Sequence, residues 1–169
     1  YSLLKTGKDH HGNAWPLVAF ESFGDWKPSG YFYALIPFIA VFDLSVLAVR
    51  LPSILAGTGI VFFVGWFTWL MTESLASQKQ RKQLFLLSMA LATFSPWLIQ
   101  FSRGGWEVNL ATFFILASLC FGWASVSREE KTQNFRFILI SLLFSVLALY
   151  TYHSARVIAP LLGLFLGLR

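Results

Sequence analysis

Residues 47 to 71, LAVRLPSILAGTGIVFFVGWFTWLM, form an apolar run of 25 positions whose one charge is Arg50. A helix rises about 1.5 Å per residue and the hydrocarbon layer of a bilayer is about 30 Å thick, so about 20 such residues cross it. A run this long suits the core of a small soluble domain poorly. Further apolar runs follow at about 84–100, 109–125 and 137–151, and another starts at Val157 and reaches Arg169. Composition agrees: 56% of the 169 residues are hydrophobic and 12% are charged, where a soluble domain carries about a quarter charged residues. The expected fold class is all-α and integral to a membrane, one helical bundle over residues 1–169.

The longest stretch without such a run is the start, YSLLKTGKDHHGNAWPLVAFESFGDWKP, residues 1–28. Gly7, Gly12, Pro16, Gly24 and Pro28 punctuate it, and it reads as a loop. Residues 31–42, YFYALIPFIAVF, are apolar but too short to span, and Pro37 would kink a helix there. They read as a short interfacial helix, with Asp43 and Ser45 offering an N-cap to the first span. The polar links between spans are 72–83, the turn 101–108, the charged stretch 126–136 and the turn 152–156. The chain begins without Met and its last apolar run is short, so both ends read as cut, with no signal peptide to find.

Alternation of spans places 72–83, 126–136 and Arg169 on one side, and the first loop with the 101–108 and 152–156 turns on the other. The cluster Lys79, Arg81 and Lys82 assigns the first side to the cytoplasm. Trp66, Trp69 and Trp123 then fall near inner span ends, and Trp97 and Trp106 near outer ends. Total charge discriminates little: seven basic residues (Lys79, Arg81, Lys82, Arg128, Lys131, Arg136, Arg169) lie inside. Six (Lys5, Lys8, Lys27, Arg50, Arg103, Arg156) lie outside. The net charge of +5 is therefore read as basic loops beside membrane spans, and no nucleic-acid partner is expected. Cys120 is the one cysteine, which excludes an internal disulfide.

The outer face gathers Asp9, His10, His11, Glu21, Asp25, Lys27, Arg50, Arg103, Glu107, His153 and Arg156. Arginine binds phosphate bidentately and lysine binds it as a point charge. A carboxylate or imidazole beside them can take a proton from an attacking hydroxyl. These residue types suit group transfer from a lipid phosphate.

The ordered series Gly7–Gly12 (GKDHHG), Trp26-Lys27-Pro28, a short apolar helix, Ala48–Ser53 (AVRLPS), Ser95-Pro96, Phe101-Ser102-Arg103 and Tyr150–Pro160 (YTYHSARVIAP) resembles the GT-C glycosyltransferases. The resemblance is to the bacterial branch of the protein mannosyltransferase-like family, which includes the aminoarabinose transferases of lipid A, and it covers nearly the whole chain. It implies an inverting transfer of a sugar from a polyprenyl-phosphate donor to a protein, lipid or glycan acceptor. It also implies a multi-pass protein of the bacterial inner membrane with its active face outward and a large outer first loop. The family's lysine before proline, which contacts the donor phosphate, corresponds to Lys27. Its base is an Asp in an Asp-Glu pair after the first span, a position upstream of Tyr1, so the chain alone is expected to be inactive. A second acidic pair in this branch corresponds to Asp9, with His10 in place of the Glu; the Asp after the arginine turn has Glu107 or Asn109 in its place. Catalytic candidates are thus Asp9, His10, His11 and Glu107, and donor-phosphate candidates are Lys27, Arg103, His153 and Arg156. No cofactor is assigned, and a divalent metal is the one candidate.

Each residue also has a plainer reading. Lys27 can be a solvated loop lysine, and Arg50 can snorkel to the interface or tie down the first loop. Arg103 and Glu107, four apart, can pair across a helical turn, and His153 and Arg156 lie one turn apart. Asp9, His10 and His11 are metal-ligand types, but adjacent residues seldom converge on one ion without further ligands, so no metal site is assigned. The Phe and Leu runs face lipid or other helices. A transporter or flippase for a lipid-linked sugar, or a non-catalytic binding protein, is the alternative function. A transporter is expected to show polar or broken helices at mid-membrane, and these spans read as apolar at their centres.

Overall fold

The computed structural model describes residues 1–22, 24–127 and 131–167. Its elements are α1 (Ser2–Thr6), β1 (Ala19–Ser22), β2 (Asp25–Pro28), α2 (Gly30–Phe42), α3 (Val46–Met71), α4 (Gln78–Thr93), α5 (Pro96–Gly104), α6 (Glu107–Val126), α7 (Lys131–Thr151) and α8 (Ala155–Gly167). Three helices are long and apolar enough to cross a membrane: Val46–Met71, Glu107–Val126 and Asn134–Thr151. A fourth crossing exists if α4 and α5 count as one.

The helix limits follow local chemistry. Ser45 caps α3, its hydroxyl accepting from the Ala48 N–H at 3.2 Å. Asp43 instead closes α2, at a left-handed φ of 54°. Ser77 and Gln80 form a capping box at the start of α4, each side chain accepting from the other's backbone. Gly105 ends α5 in the left-handed region at φ 69°, where only glycine is unstrained. At the other end of the molecule the Arg81 guanidinium donates to the Trp69 carbonyl at 3.0 Å and lies 4.1 Å from the Trp69 ring centroid, holding α4 against the end of α3.

α6 is the central helix, packed against α3 on one side and α7 on the other. Its buried positions are mostly small (Ala111, Ala117, Ser118, Gly122, Ala124), which lets neighbouring backbones come close. Phe63 of α3 packs with Ala117 and Cys120 in one buried cluster, and Tyr31, Ala56 and Leu110 form another. Ser118 hydrogen-bonds Ser141 at 3.1 Å and Ser145 at 2.7 Å, joining α6 to α7. The outward surface is strongly apolar: Leu86, Leu91, Phe94, Trp97, Leu142 and Leu143 are all exposed. Such a surface suits hydrocarbon rather than water.

Several expectations change. Residues 1–28 are not all loop: α1 and an antiparallel hairpin, with Phe20 opposite Lys27 and Ser22 opposite Asp25, lie within them. Pro37 does not break α2. The run 84–100 is two helices bent by 56° at Phe94–Ser95, because Pro96 cannot donate to the ladder of the preceding helix and starts a new one. The serines of α6 and α7 also make those helix centres less apolar than expected. The expected run from Val157 belongs to α8, Ala155–Gly167, which starts two residues earlier, at Ala155. Arg128 and Arg169, assigned to the inner side from sequence, lie outside the described residues.

Candidate functional site

The polar segments predicted to share a face do meet at one end of the bundle, around the first turn of α2. Gly30 lies so close to the end of α7 that a Cβ there would stand 2.6 Å from the Tyr150 carbonyl oxygen and 2.9 Å from the Thr151 Cα. The Tyr31 hydroxyl donates to the Val49 carbonyl of α3 at 2.9 Å. Gly105, in the α5–α6 turn, sits against Val49, Tyr31 and Arg50. His153 Nε2 donates to the Trp26 carbonyl of β2 at 2.9 Å, tying the α7–α8 turn to the hairpin. Inside this ring, Asn109 Nδ2 donates to the Ser53 carbonyl at 2.7 Å, to Ser53 Oγ at 3.1 Å and to Ser102 Oγ at 3.3 Å, while Ser53 Oγ donates to the Phe101 carbonyl at 2.9 Å. Asn109 is buried, so these bonds clamp α3, α5 and α6 together.

On one flank of α2 stand Lys27, half-buried on β2, and the exposed His153 and Arg156. The backbone of residues 26–28 and the 152–154 turn are joined through His153. A cavity of about 420 Å³ between α2, α6 and α7 is lined by Leu17, Tyr33, Leu110, Phe114, Leu147 and Tyr150 and is almost wholly apolar. Ser29 and Gly30, which follow Lys27 closely in sequence, and Tyr150 and Thr151, which precede His153, also line this slot.

On the other flank, Arg50 and Arg103 are exposed and Glu107 is half-buried. Arg103 ends α5 and Glu107 starts α6, with the left-handed Gly105 between them. They make no ion pair, so the expected pairing across a helical turn does not occur; the helix is interrupted where it would need to be continuous. Burial pushes the Tyr31 hydroxyl up to about 12, and the Glu107 carboxylate adds to this by disfavouring a second negative charge nearby. Among the described residues no hydrogen bond or ion pair links Arg103 to Lys27, His153 or Arg156.

The Asp9 loop lies apart from both flanks. Asp9 Oδ1 accepts from the His11 N–H at 2.9 Å and the Asn13 N–H at 2.8 Å, and Oδ2 accepts from Asn13 Nδ2 at 3.0 Å. Burial raises its carboxyl, but the bonds from the Asn13 side chain and the Asn13 and His11 backbones, with the His11 charge, outweigh this and hold it below the ordinary value of 3.8. Asp9 therefore organises its own loop. The His10 and His11 rings lie 4.0 Å apart, and His11 Nε2 is 3.9 Å from Glu21 Oε2 across to β1. Among the described residues no three His, Cys, Asp or Glu side chains cluster as metal ligands.

Sequence reasoning overlooked Tyr31, hidden within an apolar run, and Asn13, whose partnership with Asp9 is readable afterwards as an Asp with an Asn four residues on in a glycine-containing turn. No family model, curated protein or solved structure matches the chain.

Proposed function

We propose that this chain is the membrane part of a glycosyltransferase that moves a sugar from a polyprenyl-phosphate donor to an acceptor, with inversion, on the outer face of a bacterial inner membrane. The observation that supports the reading is the bond from His153 to the Trp26 carbonyl, which brings the turn carrying His153 and Arg156 to the strand carrying Lys27, while Ser29 and Gly30, just beyond that strand, line the apolar slot. A lipid phosphate needs this combination, cations at headgroup level and an apolar channel for its chain. In the transfer the acceptor oxygen forms a bond to the anomeric carbon as the bond from that carbon to the phosphate oxygen breaks. Lys27 and Arg156 stabilise the charge that collects on the departing lipid phosphate. The acceptor's proton goes to a carboxylate or imidazole. Glu107, half-buried and without an ion pair among the described residues, and His10, exposed at its loop, have the freedom for this; Asp9, with its oxygens engaged, holds the loop instead.

The test is Lys27→Ala and Arg156→Ala in the full-length protein, assayed with a lipid-linked donor. A charged hydrogen bond is worth about 1.5–3 kcal/mol, so each variant should lose about ten- to a hundredfold in kcat/KM with its melting temperature kept. A normally folded Lys27→Ala with full activity would sink the phosphate assignment.

The bend at Phe94–Ser95 favours a second reading, transport of a lipid-linked sugar, because transporters build sites at broken helices. The cavity beside the bend holds Ser95, Asn109 and Thr112 among apolar residues and has no charged lining, which leaves it second. Translocation of a lipid-linked sugar by the reconstituted protein, without sugar transfer, would put it first.

A further inference from the structure

The helix α2 has a second cavity. Phe32, Leu35, Ile36 and Ile39 recur at helical spacing and form the floor of an open groove of about 280 Å³, roofed by α1 and β1 through Leu4 and Phe20. At 3.6 residues per turn, this stripe lies about 160° around α2 from Gly30, Tyr33 and Ala34, which line the apolar slot beside Lys27. A single interfacial helix therefore separates two cavities. Their polar linings differ. The slot is lined by no charged residue, whereas the rim of the groove carries Asp9, His10, Glu21 and Ser22 and no lysine or arginine.

We propose that the groove binds a membrane amphiphile: one apolar chain along the α2 stripe and a hydroxyl or amine head at Glu21 and His10. The volume falls at the small end of the usual range for ligand cavities, about 300–1,000 Å³, and so takes one chain rather than a bulky body. A phosphate head is disfavoured, because the Glu21 and Asp9 carboxylates would face it and no lysine or arginine lines the groove. Glu21 is available: its side chain is 41% exposed, and His11 Nε2 stands off at 3.9 Å. A hydroxyl donates to that carboxylate, and an ammonium pairs with it. The groove selects against the anionic lipid that suits the slot. That such an amphiphile serves as the sugar acceptor rests on the transferase reading; that it binds does not.

The experiment is photolabelling of the full-length protein with a diazirine-bearing long-chain alcohol, the matching amine and the matching phosphate monoester, with sites read by mass spectrometry. Alcohol and amine are expected to label residues 32–39, and the phosphate to label them about ten- to a hundredfold less, the factor for one charge-assisted contact. Leu35→Trp fills the groove and should abolish that labelling. Leu4→Trp, on the rim, does the same if Leu35→Trp fails to fold. Glu21→Gln should weaken amine labelling and leave alcohol labelling in place. Equal labelling by the phosphate, or undiminished labelling in a folded Leu35→Trp or Leu4→Trp protein, overturns the proposal. Labelling needs no turnover, so retained labelling in a protein with no transferase activity overturns the acceptor role alone.

Discussion

Gly30 is the position at which the polar end can be broken with one methyl group. Its Cβ in Gly30→Ala would stand 2.6 Å from the Tyr150 carbonyl oxygen, 2.7 Å from Thr151 Oγ1 and 2.9 Å from the Thr151 Cα. Two of these are backbone atoms of a helix that α6 holds firmly, so α2 and the hairpin must give way rather than α7. Overpacking of this kind costs about 1–3 kcal/mol. A shift that also breaks the His153–Trp26 bond adds about 0.5–1.5 kcal/mol. The alanine recovers at most about 1 kcal/mol of helix propensity, and less at the first position of a helix. These terms leave a net loss of about 0.5–4.5 kcal/mol, which corresponds to an open population about two- to 2,000-fold larger. Amide hydrogen exchange over residues 26–33 and 150–155 reads this directly. Gly163→Ala is the control, since a Cβ there meets nothing within 4 Å. If Gly30→Ala exchanges like wild type in both segments, the α2–α7 contact does not hold the end together, and the gathering of Lys27 with the α7–α8 turn fails with it.

Two further outcomes follow from the same packing. Asn109→Leu removes donations to Ser53 and Ser102 and should destabilise the protein by about 0.6–1.7 kcal/mol, the range for buried polar contacts between membrane helices, read as a lowered unfolding midpoint in mixed micelles. Tyr31 holds its proton more tightly folded than unfolded, with its value raised from 10.0 to about 12. Its contribution to stability is therefore complete below pH 10 and is lost as pH rises through 12. Melting temperatures across that window should fall more steeply for wild type than for Tyr31→Phe, and parallel curves would contradict the burial of this hydroxyl.

The helices were legible because their signal is length and apolarity, which need no knowledge of partners. Val46–Met71 and Glu107–Val126 lie within two residues of the expected limits. The bend at Phe94–Ser95 was not, although Pro96 was in view: apolar residues continue through it, and hydropathy is blind to direction. The hairpin escaped because its strands, AFES and DWKP, are four residues each and carry no long alternation. For the site, sequence supplied the residue types and the common end of the bundle, which follows from counting crossings. It could not divide them. That the α5–α6 turn meets Tyr31 and Arg50 while the hairpin meets the α7–α8 turn depends on which faces of α2 meet α3 and α7, and short contacts such as Tyr31 to Val49 decide that. Nor could it tell that Asp9 is engaged by its own loop, because an aspartate that folds a turn and one that takes a proton look alike in one dimension.

The bond between His153 and Trp26 joins residues 127 positions apart. At about 5–20 residues per second of synthesis, some 6–25 seconds separate the emergence of the hairpin from that of its partner. Gly30 must wait as long for Tyr150 and Thr151, while Tyr31 finds Val49 only 18 residues on. The first loop is therefore made early and secured in two stages, first to the helix that follows it and last to the end of α7. A ribosome-bound chain halted before residue 150 would hold every element of the hairpin and α2 but no anchor for the Lys27 corner. Within the described residues, the Lys27 corner is complete only once the α7–α8 turn has been made.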